Sequence, residues 1–116
     1  MKKINLAITG CMGRMGNQLI KSAQKDRNFK ITALTENKTI NKKINGIAID
    51  LNTYKVFKKV DLIIDFTIPK CTFEILKIAL KLKKRVVIGT TGFSKKEESL
   101  ISKYSKKIPI LKAGNM

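Results

Sequence analysis

Three glycines spaced by three, Gly10, Gly13 and Gly16, follow directly on the apolar run Ile4-Asn5-Leu6-Ala7-Ile8. That run is long enough for one buried strand. After Gly16, the stretch Asn17-Gln18-Leu19-Ile20-Lys21-Ser22-Ala23 has a helical pattern. A strand, a glycine turn and a helix in this order constrain the chain to the opening of a dinucleotide-binding fold. The first N–H groups of such a helix lack partners and point back at the turn, so an anion can sit there. Glycine lets the backbone turn tightly and lets a pyrophosphate approach without a Cβ in the way. The usual fingerprint is G-x-G-x-x-G, and here Met12 stands at its second glycine, leaving Gly13 for the close approach. These residues alone also fit a tight strand-to-helix turn with no ligand. Glu36 weighs against that alternative. It lies about 20 residues beyond Gly16, after the run Phe29-Lys30-Ile31-Thr32-Ala33-Leu34, where a carboxylate can accept hydrogen bonds from a ribose hydroxyl.

The rest of the chain alternates in the same way. Strands are expected at 3–9, 29–35, 61–67, 85–88 and 108–111, with a short edge strand at 47–49. Helices are expected at 13–25 and 70–83, and from Ser94 to about Lys106, with a turn or two at 54–60. Residues 36–43 are polar and have the composition of a loop. Pro69 suits a first helical turn, and Ser94-Lys95-Lys96-Glu97 is a capping box. Alternation of this kind predicts a single α/β domain over 1–116, a Rossmann-like, doubly wound parallel sheet. In such a sheet ligands bind outside the carboxyl ends of the strands. Four loops fall there, at 10–16, 66–69, 89–92 and 113–116, and all carry small or polar residues.

A length of 116 residues with 43% hydrophobic content suits one domain with a core. The net charge of +17, from 25 Lys and Arg against 8 Asp and Glu, invites a nucleic-acid reading. The lysines are scattered through every helix and loop, aromatics make up 6%, and Arg14, Arg27 and Arg85 are the only arginines. The expectation is therefore no nucleic-acid partner, though the field still attracts anions. No apolar run reaches the length of a membrane span, and the first strand begins too early for a signal peptide. A cytoplasmic setting is expected, with Cys11 and Cys71 as reduced thiols. Neither cysteine is in a metal spacing, so no metal is expected. Histidine is absent, which removes the commonest proton-transfer group.

Four motifs together resemble one family. They are Gly10-Cys11-Met12-Gly13-Arg14-Met15-Gly16, Asp65-Phe66-Thr67-Ile68-Pro69, Val87-Ile88-Gly89-Thr90-Thr91-Gly92-Phe93 and Gly114-Asn115-Met116. In this order they look like the coenzyme domain of the 4-hydroxy-tetrahydrodipicolinate (dihydrodipicolinate) reductase family, which serves the diaminopimelate route to lysine. The resemblance implies a dinucleotide pyrophosphate at Gly10, Cys11, Met12, Gly13, Arg14 and Met15. It puts the adenosine ribose at Glu36. The nicotinamide side falls to Gly89, Thr90 and Thr91, joined by Ala113, Gly114, Asn115 and Met116. Arg14 either pairs with a phosphate or is an exposed surface charge. Asp65 is expected to be a structural hydrogen-bond acceptor rather than a catalytic base, and Cys11 a small residue in a tight turn.

The same resemblance implies hydride transfer from NADH or NADPH to a ring carbon of the substrate, with water lost. Many family members carry Arg directly after the ribose-binding acid. Here Asn37 stands there, so dual coenzyme use leaning to NADH is expected. The family's second domain binds the small-molecule substrate, builds a homotetramer and carries a His-His pair and a Lys. No His-His pair and no histidine at all is found here, so no catalytic residue is assigned within the chain and a truncated or isolated coenzyme domain is expected. The alternatives are a stand-alone nucleotide-binding module and another amino-acid-pathway dehydrogenase.

Overall fold

The computed structural model describes residues 2–113. Its elements run β1 (Ile4–Thr9), α1 (Arg14–Lys25), β2 (Phe29–Glu36), β3 (Lys43–Ile44), β4 (Ile47–Leu51), α2 (Tyr54–Phe57), β5 (Leu62–Asp65), α3 (Pro69–Leu82), β6 (Arg85–Ile88), α4 (Lys95–Ser105) and β7 (Ile110–Lys112). They form one seven-stranded sheet in the order β3-β4-β2-β1-β5-β6-β7. All pairs are parallel except β3 with β4. The order runs outward from β1 in both directions, to β2 on one side and β5 on the other. The loops leaving β1 and β5 therefore part at the carboxyl edge of the sheet and leave a crevice there.

Successive strand residues face opposite sides, and each side has its own core. Ile8, Leu34 and Ile49 pack with Ile20 of α1. Ala7, Ala33, Ile63 and Val86 pack with Phe57 of α2, Ile75 and Leu76 of α3 and Ile101 of α4. Helices thus cover both faces, the expected doubly wound arrangement. Of the α3 face predicted from spacing, Ile75, Leu76 and Ala79 are fully buried, and Leu80 packs partly buried against the same core. Helix α4 begins as expected: Ser94 Oγ accepts the Glu97 N–H at 3.1 Å, and Glu97 Oε1 accepts the Ser94 N–H at 2.9 Å.

The structure differs from expectation at several places. The strand expected at 61–67 is Leu62–Asp65, and the helical turns expected at 54–60 are Tyr54–Phe57. Residues 36–43 are not all loop. Lys43 begins β3, which turns through Asn45 (φ 52°) and Gly46 (φ 82°) into β4. Both turn residues have positive φ, as a two-residue hairpin that matches strand twist requires. The last strand starts at Ile110, two residues later than expected. Pro109 has no N–H to give the ladder, though its carbonyl still accepts the Val86 N–H at 3.1 Å. No helix among the described residues is long and apolar enough to cross a membrane.

Candidate coenzyme crevice

The turn from β1 into α1 is held by close backbone packing. Gly10 has φ +62°, and a Cβ there would lie 2.3 Å from the Phe66 carbonyl oxygen. Its own carbonyl accepts the Gly13 N–H at 3.0 Å. A Cβ on Gly16 would lie 2.4 Å from that carbonyl and 2.8 Å from Cys11 Cα. Gly10 and Gly16 are therefore required by the fold itself. Gly13 is different: its nearest neighbour to an added Cβ is the Gly10 oxygen at 3.4 Å, an ordinary contact.

Gly13 is also the N-cap of α1, and no side chain caps that end. No acidic residue stands in the first turn. Arg14 occupies it instead and is exposed. A positive side chain at the positive end of a helix dipole is unfavourable unless an anion joins it. The capping-box start of α4 shows the contrast, with Glu97 and Glu98 in its first turn.

In front of this helix end lies an open crevice of about 560 Å³. Gly13, Arg14, Met15 and Gly16 line it from the β1 side, Phe66 and Thr67 from the end of β5, Gly89, Thr90 and Thr91 from the end of β6, and Ala113 from the end of β7. Three of the four loops expected at one edge thus meet there, with Ala113 of the fourth. Gly89 allows the closure: a Cβ there would lie 2.1 Å from the Phe66 ring.

The structure therefore brings together Gly13, Arg14, Met15, Gly89, Thr90, Thr91 and Ala113 of the expected set. Gly10 lies beneath the crevice as a turn residue. Cys11 is 0% exposed and sits among Ile8, Ile20, Leu34 and Ile49. Burial, with the Glu36 charge nearby, pushes its thiol up to about 11. Its side chain is a packing group, so any part it takes in binding falls to its backbone. Burial likewise raises the Cys71 thiol, helped by Glu74. Glu36 and Met12 stand outside the crevice lining, and Glu36 Oε2 accepts the Met12 N–H at 2.7 Å. Gly114, Asn115 and Met116 lie outside the described residues.

Phe66 and Thr67 line the crevice but were absent from the expected site. Their signal was the polar loop ending the 61–67 run. Asp65 beside them is buried. Its carboxylate accepts from four threonine hydroxyls and its backbone carbonyl from the Gly89 N–H at 2.7 Å, so it is a hydrogen-bond acceptor, as expected. Among the described residues no group of three or more His, Cys, Asp or Glu side chains is placed to hold a metal.

Known proteins agree with this architecture. Residues 4–116 match the family described as dihydrodipicolinate reductase, N-terminus. The chain is 73% identical to the 4-hydroxy-tetrahydrodipicolinate reductase of Pelagibacter ubique (strain HTCC1062), over 100% of this chain and 45% of that protein. It is 44% identical to the protein of the same name from Buchnera aphidicola subsp. Schizaphis graminum, over 98% of this chain and 46% of that one. Among solved structures, dipicolinate-bound dihydrodipicolinate reductase from Paenisporosarcina sp. TG-14 superposes with a TM-score of 0.80 at 24% identity, covering 98% of this chain and 48% of that chain. S. aureus homoserine dehydrogenase superposes with a TM-score of 0.78 at 18% identity, covering 97% and 33%. The chain spans less than half the length of these relatives. With its glycine turn, parallel sheet and family match over residues 4–116, the chain belongs to the dihydrodipicolinate reductase N-terminal family.

Proposed function

We propose that the crevice binds a nicotinamide dinucleotide and that the chain is the coenzyme half of a 4-hydroxy-tetrahydrodipicolinate reductase. The observation that carries this reading is the α1 N-terminus. It is uncapped, lacks an acid, bears Arg14 and opens on a crevice at the topological switch point. A pyrophosphate supplies the anion this end lacks. Gly13 gives it room, since nothing in the fold itself requires glycine there. Arg14 pairs with a phosphate oxygen. Glu36 accepts from an adenosine ribose hydroxyl, and its bond to Met12 holds it beside the pyrophosphate turn.

At the other end, Gly89, Thr90, Thr91 and Ala113 receive the nicotinamide, and Gly114, Asn115 and Met116 belong to the same proposal. Hydroxyls and backbone amides orient the ring without placing a charge beside it. When bound, the reduced nicotinamide supplies a hydride for a ring carbon of the substrate, with water lost. This chain's residues position and shield it. Substrate binding, proton donation and a homotetramer are assigned to the part of the relatives' length that this chain does not span. Free Cys11 and Cys71 suit a reducing, cytoplasmic setting.

Both coenzymes bind, with a lean to NADH. The Glu36 carboxylate repels a 2′-phosphate, and Asn37 beside it is neutral. Lys38 is exposed and offsets part of that repulsion, as a solvated pair worth about 0–1 kcal/mol.

Calorimetric titration of NADH into the chain tests the reading. Saturable one-to-one binding that ADP-ribose competes away is expected. Heat that vanishes on raising salt, as nonspecific attraction to a +17 domain would, contradicts it.

A further inference from the structure

Asp65 ends β5 with none of its surface exposed, and its carboxylate gathers four threonine hydroxyls. Oδ1 accepts from Thr9 Oγ1 and from Thr67 Oγ1, each at 2.7 Å. Oδ2 accepts from Thr72 Oγ1 at 2.5 Å and from Thr90 Oγ1 at 3.0 Å. The donors come from the end of β1, the loop after β5, the first turn of α3 and the loop after β6. Thr9 and Thr72 are fully buried and Thr90 is 2% exposed. Thr67 is half-buried, and Thr67 and Thr90 are the two that reach the crevice lining. Each carboxylate oxygen therefore serves one core hydroxyl and one crevice hydroxyl.

A threonine hydroxyl has one proton and two lone pairs. Thr67 Oγ1 also lies 3.3 Å from the Ile68 carbonyl and 3.4 Å from Thr72 Oγ1, but the carboxylate at 2.7 Å is the stronger and nearer acceptor and takes the proton. With its proton directed at Asp65, a crevice hydroxyl can only accept from anything else. Thr90 Oγ1 already does so, taking the Thr67 N–H at 2.8 Å. We propose that Asp65 is a positioning residue that fixes the hydrogen-bond polarity of the crevice, making Thr67 and Thr90 acceptors that select a ligand N–H donor. The inference rests on the dinucleotide reading above, in which that donor is the carboxamide N–H of nicotinamide.

Asp65→Asn isolates this effect. The asparagine is nearly the same shape, but one of its two polar atoms is a donor. Whichever way the amide faces, it meets either Thr67 or Thr90, and that hydroxyl must turn its proton away. A purely structural role for the cluster predicts a loss shared by every ligand. The polarity role predicts a loss confined to ligands with the amide N–H.

The experiment titrates NADH, its 3-acetylpyridine analogue (a methyl ketone in place of the amide) and ADP-ribose into the 116-residue chain by calorimetry. The wild type is expected to prefer NADH over the analogue by about tenfold, the scale of one hydrogen bond matched rather than opposed. Asp65→Asn is expected to shrink that preference to within about twofold while ADP-ribose affinity stays at the wild-type value. Thr67→Val leaves Asp65 three donors and guards against failure of Asp65→Asn to fold; it is expected to lose the preference in the same way. Retention of the full preference in the folded variants overturns the inference, as does an equal loss for all three ligands. Wild-type chain that binds NADH and ADP-ribose but shows no preference for the amide overturns the inference alone. Wild-type chain that binds neither overturns the dinucleotide reading and this inference with it.

Discussion

The Glu36 carboxylate accepts the Met12 backbone N–H at 2.7 Å, tying the end of β2 to the glycine turn after β1. One oxygen, Oε2, is engaged there, and the side chain is half-buried. The residue read as a ribose ligand thus also braces the pyrophosphate turn.

Glu36→Gln separates the two roles. The Gln carbonyl oxygen can still accept from Met12, so the turn keeps its brace, but the negative charge is gone. The ratio of NADPH to NADH dissociation constants is expected to fall several-fold in favour of NADPH, the scale of an exposed charge pair near 1 kcal/mol. Parallel titrations of both coenzymes measure it. An unchanged ratio would show that Glu36 does not face the 2′ position.

Gly16→Leu is expected to destabilise the chain by about 1–3 kcal/mol or more. An added Cβ there would already meet the Gly10 oxygen at 2.4 Å, so α1 must move off β1. Urea unfolding reads the loss. A midpoint equal to wild type would mean that the turn relaxes at no cost.

Cys11 makes stability fall at alkaline pH. Its thiol is raised from 9.0 to about 11 in the fold, so the folded state holds its proton more tightly than the unfolded chain. The stabilisation is complete below pH 9 and is lost as pH rises through 11, a total of about 2–3 kcal/mol. Unfolding free energies of wild type and Cys11→Ala at pH 8 and pH 10.5 test this. The variant is weaker overall, and its alkaline decline is expected to be shallower; parallel declines would exclude Cys11 as a cause.

The 116 residues alone are expected not to oxidise NADPH when given 4-hydroxy-tetrahydrodipicolinate. The sequence has no histidine, and no titratable side chain lines the nicotinamide end of the crevice among the described residues. Steady-state absorbance at the reduced coenzyme's band measures this. Turnover above the uncatalysed rate would place the catalytic groups within this chain.

The local signals were legible in the sequence. The β1 turn, the α4 capping box and the Glu36 position each rest on residues a few positions apart or on a fixed motif spacing. The β3–β4 hairpin was also encoded locally, in Asn45-Gly46 between Ile44 and Ile47, yet the surrounding lysines give it a loop's polarity. The shift of β7 to Ile110 follows from Pro109, whose missing N–H matters only once β6 lies alongside. The Asp65 cluster was not legible, although Asp65 was expected to be an acceptor. Thr9 and Thr90 lie 56 and 25 positions from Asp65, and only closure of the sheet edge brings their hydroxyls to one carboxylate. Phe66 and Thr67 entered the crevice for the same reason.

The most direct test is calorimetric titration of NADH and NADPH into wild-type chain and Gly13→Ala at about 0.15 M salt. Gly13 has room for a Cβ in the fold, so the variant is expected to melt close to wild type, with a cost of about 1 kcal/mol or less at the N-cap. The wild type is expected to bind both coenzymes, NADH more tightly and within about tenfold of NADPH, and the alanine methyl to lower both affinities at least tenfold by blocking the pyrophosphate. A folded Gly13→Ala chain that binds either coenzyme as wild type does would contradict a dinucleotide held at the β1–α1 turn.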